Sequence, residues 1–207
     1  MELKSFGKLA VTLMLGAALT GCIDANVDVV ITGENTARVT LAQTMGADFY
    51  AMMNMEAESD AEGEAAADAA AEGFCDEGEL TEHADGSATC TIVEEGDFAS
   101  LDLLNDEESS MTITAAGPGL VRVAFPTAEM ANEVGAEDDM DEETKAMMEA
   151  FFTGHAITIK ISGGEITETN MTLSSDKKSA EQVLDFLELI NGTAELPDEL
   201  FAIVKAP

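Results

Sequence analysis

Residues 26–32 alternate, with Val27, Val29 and Ile31 on one face. After the turn Gly33-Glu34-Asn35, residues 36–43 alternate again through Ala37, Val39 and Leu41. A period of two marks half-buried strands, so this stretch predicts a β-hairpin. In residues 45–55 the pattern changes, and Phe49, Tyr50, Met52, Met53 and Met55 predict a helix. The methionines and aromatics there suit a core, and also an adaptable apolar surface. Extended segments at 79–83 and 88–94 flank Ala84-Asp85-Gly86-Ser87. Asp-Gly between such segments predicts a hairpin turn. Phe98, Leu101 and Leu104 give helical spacing over 97–105. Strands follow at 111–115 and 120–125, joined through Gly117-Pro118-Gly119 and ended by Pro126.

Helical patterns return at 127–134 and 142–152, on either side of a dense acidic run at 137–143. In residues 155–162, Ile157, Ile159 and Ile161 share a face. Gly163-Gly164 then predicts a tight turn, with 165–173 pairing back as a third hairpin. Ala180, Val183, Leu184, Leu187 and Ile190 predict an amphipathic helix over 177–190, with a strand as the alternative. A final strand is expected at 200–205. The sum is an α+β domain: antiparallel β-hairpins forming a sheet with amphipathic helices packed on one face. Residues 56–73 hold no large apolar side chain and form an acidic low-complexity insert, either a solvated loop or a loose helix.

The first 21 residues stand apart from this pattern. Lys4 and Lys8 precede an apolar run over 9–19, broken only by Thr12. That is a positive segment followed by a short apolar one, too short for an ordinary membrane-spanning helix. The run ends in Leu19-Thr20-Gly21-Cys22. This resembles the lipobox cut by the bacterial lipoprotein signal peptidase. The resemblance implies that Cys22 becomes the first residue and carries acyl chains, two or more of which anchor stably. Three parts follow: a signal peptide at 1–21, a lipidated anchor and short tether at 22–25, and one periplasmic domain at 26–207. Ile23, rather than Asp, follows Cys22, which by resemblance to Gram-negative sorting favours the outer membrane over the inner; Asp24 at the next position works against it.

Lipidation of Cys22 leaves Cys75 and Cys90. In an oxidising compartment the simplest outcome is that they pair. A metal site is the rival, but His83 is the only imidazole near them and there is no C-x-x-C. No metal and no cofactor are expected.

The formal net charge is -33. Removing residues 1–21 takes away Glu2, Lys4 and Lys8, leaving 41 acids against 7 bases. Such a body is repelled by phosphate backbones, which excludes nucleic-acid partners. At 46% hydrophobic residues, the chain still has enough apolar surface to fold. The run 137–143 lacks the spacing and glycine of a calcium loop. His83 and His155 each stand alone, and no hydrolase, zinc-protease or phosphate-loop motif occurs. The chain therefore reads as no enzyme.

The segment 157–170, Ile-Thr-Ile-Lys-Ile-Ser-Gly-Gly-Glu-Ile-Thr-Glu-Thr-Asn, resembles a motif of the LppM-type lipoprotein domain family through Gly164, Ile166 and Asn170. A hairpin directly after the lipidated cysteine is similar too. The chain departs from the family in having no Trp and in its acidic inserts. The resemblance implies an envelope lipoprotein whose domain holds lipid, or another apolar ligand, in a cavity. The second expectation is a structural or assembly factor that binds another envelope protein.

Overall fold

A computed structural model describes residues 23–60, 74–105, 111–127, 149 and 152–207. Within these residues the chain forms eleven strands in two sheets. The seven-stranded sheet has the order β3-β4-β2-β1-β7-β10-β9. Its members are β1 (Ile23–Ile31), β2 (Thr36–Met45), β3 (Glu79–Glu82), β4 (Ala88–Asp97), β7 (Ala156–Ser162), β9 (Thr172–Leu173) and β10 (Ser179–Asp185). The four-stranded sheet has the order β5-β6-β11-β8. It is built from β5 (Thr112–Gly117), β6 (Leu120–Pro126), β8 (Glu165–Thr169) and β11 (Glu199–Lys205).

The two sheets cover each other's apolar faces. On β7, Ile157, Ile159 and Ile161 are buried at alternate positions. Val121, Val123 and Phe125 of β6 do the same, as do Leu200, Ala202 and Val204 of β11. These side chains meet Val29, Ile31, Ala37, Val39 and Ala180 in one core. A period-two pattern with one apolar face is satisfied when two such faces pack together. Val29, Val123, Ile161 and Val204 are fully buried, each stabilising the fold by about 1.5–3 kcal/mol relative to exposure.

This corrects the expected α+β architecture. The apolar face of the first sheet is covered by a second sheet and not by a layer of amphipathic helices. The described helices are α1 (Ala47–Asp60), α2 (Asp102–Asn105) and α3 (Phe186–Ile190), with a 3-10 turn at Phe98–Ser100. Of these, α3 buries Phe186, Leu189 and Ile190 in the main core, where the Phe186 ring lies 5.5 Å from that of Phe152.

Three local expectations also change. The helix expected over 177–190 is β10 followed by α3. Ala180 and Leu184 are four apart, which puts them on one face of a helix and equally on one face of a strand. Pairing with β7 on one side and β9 on the other decides for the strand, and leaves Val183 exposed. Gly163-Gly164 is not a hairpin turn. β7 pairs with β1 and β10, while β8 pairs with β11 in the other sheet, so the two glycines carry the chain between sheets. The helix expected over 97–105 shrinks to the 3-10 turn and α2, because β4 continues to Asp97 to pair with Thr36.

Other expectations hold. The hairpins β1–β2, β3–β4 and β5–β6 form as read, and the final strand begins at Glu199. β1 starts at Ile23, so the short tether expected at 22–25 is mostly strand. α1 runs to Asp60, into the acidic insert. The rest of the insert, the acidic run 137–143 and most of the helical patterns at 127–134 and 142–152 lie outside the described residues.

Candidate functional site

The seven-stranded sheet has two ends, and the residues of interest gather at one. Ile23 pairs with Met45, Met45 with Ala88, and Ala88 with Glu82. On the other side of β1, Ala25 pairs with Ile157 and Ile157 with Leu184. The start of β1, the end of β2, the β3–β4 turn, the start of β7 and the end of β10 are therefore level. Helices α1 and α3 both begin at this end.

Asp24 ties the start of β1 to β7. Its Oδ1 accepts a hydrogen bond from the Ala156 amide at 3.0 Å. Its Oδ2 lies 3.3 Å from His155 Nδ1, an ion-pair contact when the ring is protonated. The geometry of that contact falls short of an aligned hydrogen bond.

Beside this lies a small second core of Met45, Tyr50, Phe74, Ala88 and Cys90, with Phe49, Met53, Cys75, Leu80 and Ile92 packed against it. The Tyr50 and Phe74 rings are 6.3 Å apart and tilted. Cys75 and Cys90 form a disulfide, the pairing expected of two cysteines in an oxidising compartment, with Cα atoms 5.4 Å apart. Gly78 sits where a side chain would press on both sulfurs. Nothing in the sequence pattern singled it out, since close approach to a disulfide leaves no periodic signal.

An open depression lies between α1 and the β3–β4 turn, lined by Asp48, Tyr50, Asn54, Glu82, His83 and Gly86 among others. The Tyr50 hydroxyl donates to Glu82 Oε1 at 2.8 Å. Burial, and then the Glu82 carboxylate that accepts this bond, push the Tyr50 phenol above its ordinary pKa. His83 Nε2 lies 2.8 Å from Thr89 Oγ1, which in turn is 2.9 Å from Thr44 Oγ1. At the tip of the turn, the Ser87 hydroxyl and amide both donate to Asp85 Oδ1, which holds that carboxyl below its usual range.

Among the described residues, no three side chains of His, Cys, Asp or Glu converge as metal ligands. No described helix is long and apolar enough to cross a membrane. Cys22, the residue expected to be lipidated, lies outside the described residues, one peptide bond before β1. His83 and His155 are at the same end of the sheet, but each has its own partner.

The motif at 157–170 is structural in its details. Ile166 is buried in the main core. A Cβ on Gly163 would overlap the Ile31 backbone, and one on Gly164 the Lys205 carbonyl. Asn170 bridges to β11 twice: Nδ2 donates to the Glu199 carbonyl at 2.8 Å, and Oδ1 accepts from the Phe201 amide at 2.9 Å.

The large exposed apolar side chains are scattered. Met52 is on α1, Val93 on β4, Leu173 on β9 and Val183 on β10. Four strand spacings separate β4 from β10, so these residues make no single patch.

The chain matches no family model and no curated protein. It is similar to the NMR structure of the folded domain of LppM from Mycobacterium tuberculosis. The two are 9% identical, the match covers 90% of this chain and 91% of that one, and the TM-score is 0.44. A score below 0.5 at that identity leaves the functional argument to this chain's own residues.

Proposed function

We propose that this chain is a non-enzymatic envelope lipoprotein, cut before Cys22 and held on a membrane by acyl chains on that residue. One observation carries it: the lipobox-like Leu19-Thr20-Gly21-Cys22 meets the first strand with nothing in between, since β1 begins at Ile23. The described strand thus follows directly on the lipobox-like cysteine, the point at which a removable leader would be cut. The disulfide agrees with export to an oxidising compartment. The domain faces the periplasm, on the outer membrane in preference to the inner because Ile23 follows Cys22.

The lipid or apolar ligand belongs to this proposal as its finer part. The material for it is the apolar cluster around Tyr50, Phe74 and Met53 beside the open depression, with Met52 exposed on α1. Methionine and aromatic side chains adapt to irregular apolar guests.

Two measurements test the two parts. Intact-mass analysis of the membrane-bound protein from a Gram-negative host should show a chain beginning at Cys22 with acyl additions. Cys22→Ala should leave the protein uncut or release it from the membrane. A full-length chain with no added mass would end the lipoprotein proposal. Native mass spectrometry of the detergent-freed protein should recover a bound apolar molecule; a clean apo mass would remove the ligand and leave the anchor standing.

A further inference from the structure

The position of Cys22 relative to the sheet has a geometric consequence. A trans peptide bond holds consecutive Cα atoms about 3.8 Å apart, so residue 22 cannot stray from the start of β1. Asp24 fixes that start to β7 through the Ala156 amide and His155. Ile23 is level with Met45 and Ala88, and hence with the roots of α1 and of the β3–β4 turn. The opposite end of the sheet, at Ile31 and the turn Gly33-Glu34-Asn35, lies about 26 Å away at ~3.3 Å per extended residue.

We propose that the domain stands on the bilayer with this end down: the β3–β4 turn and the start of α1 face the lipid head groups, and the β1–β2 turn points away. The inference rests on the lipidation of Cys22 and goes beyond it. A lipoprotein with a long tether tumbles freely; one with no tether does not. The 41 acids against 7 bases of the chain beginning at Cys22 oppose lying flat, because a flat domain would press its carboxylates against anionic head groups. Standing on one end confines that contact to the carboxylates of this end, Asp24, Asp48, Glu82 and Asp85 among them. The β3–β4 turn reaches beyond the level of Ile23, since residues 83–87 lie past the Glu82–Ala88 pair. The depression lined by Asp48, Tyr50, Glu82 and His83 then opens at the head-group layer, roughly three strand spacings, or about 15 Å, from the anchor.

The test uses the acylated full protein in vesicles of phosphatidylethanolamine and phosphatidylglycerol, some carrying a head-group nitroxide quencher. A fluorophore is placed at Ala84→Cys in the near turn, at Ala51→Cys on α1, or at Asn35→Cys in the far turn. All three positions are exposed, so each variant should fold. The expected result is loss of emission at Ala84 and Ala51 with little loss at Asn35. Equal quenching at the two ends, or stronger quenching at Asn35, overturns the orientation while acylation stands. A preparation whose intact mass lacks acyl chains overturns both the lipoprotein proposal and the orientation built on it.

Discussion

Gly163 and Gly164 show how one residue type can serve a purpose its sequence context hides. A Gly-Gly pair after an alternating segment reads as a tight hairpin. Here Gly163 has a φ of 111° and abuts the Ile31 backbone, while Gly164 abuts the Lys205 carbonyl. The pair is the point where the chain leaves one sheet and enters the other. Gly164→Ala should cost ~3 kcal/mol, because its clash is with backbone that two strands hold in place. Chemical denaturation would show this as a lower midpoint at unchanged slope; a loss under about 0.5 kcal/mol would mean the crossover relaxes freely. Asn170→Ala should cost ~1–2 kcal/mol, since the Glu199 carbonyl and Phe201 amide lose a partner at once. Tyr50 permits a cleaner measurement, because it is the only tyrosine. Its raised pKa means that folding favours the neutral phenol. That contribution is present below the ordinary value of 10.0 and is lost as pH rises through the higher folded value. Phenolate absorbance should titrate above 10.0 in the wild type, with circular dichroism confirming the fold at each pH. Glu82→Gln should move the midpoint down while leaving the burial contribution in place. A wild-type midpoint at or below 10.0 would contradict the buried Tyr50–Glu82 contact.

At the scale of elements, the strands were legible and the helices less so. Alternation in β1, β2 and β7 has one structural solution, a sheet with an apolar face. Apolar residues four apart have two solutions, and 177–190 took the one its sequence did not favour. What decided was the free edge of β7, which β10 fills over the register Ser179–Ser162 to Asp185–Ala156. No local pattern contains that information. The end of β10 is fixed locally, by a residue the periodicity over 177–190 passes through. Asp185 caps α3, its Oδ1 accepting from the Leu187 amide at 2.8 Å and the Glu188 amide at 3.2 Å. The disulfide was legible by arithmetic alone, but its role was not. It staples a satellite cluster of five buried side chains, separate from the main core. Closing a loop of 15 residues contributes about 3 kcal/mol by chain entropy. In a Cys75→Ser, Cys90→Ser variant, amide exchange should quicken in β3, the adjoining half of β4 and α1. Protection in β6, β7 and β11 should hold, since these strands pack in the main core. A uniform rise across all strands would mean that the satellite and the main core unfold as one unit.

For the whole molecule, the decisive fact missing from the sequence was which faces meet. Each hairpin announces an apolar face but not its partner, and helices or a second sheet satisfy it equally well. The candidate site was legible only in part: Cys22 and the cysteine pair stood out in sequence, whereas Tyr50, Glu82 and the Asp24–His155 contact come together only through register. Charge is the property of the whole chain that composition does report faithfully. With 41 acids against 7 bases once residues 1–21 are removed, the chain carries a large excess of like charge. Among the described residues few charges are paired: the close carboxylate contacts of lysine and arginine are Arg122–Glu199 and Lys160–Asp28. Unfolding lets the rest move apart, so self-repulsion favours the unfolded chain at low salt. Screening should reverse this. At about 0.15 M salt the Debye length is ~8 Å, and at about 0.01 M it is ~30 Å, comparable to the longest strands. The melting temperature should therefore rise steadily over that range and keep rising more slowly above it. The rise should be the same for sodium and potassium chloride, since it depends on ionic strength and not on ion identity. A calcium-specific rise at millimolar concentration, with no response to monovalent salt, would instead point to carboxylates gathered around a bound ion. A flat response to every salt would show that the acidic surface lies too far apart to matter to folding.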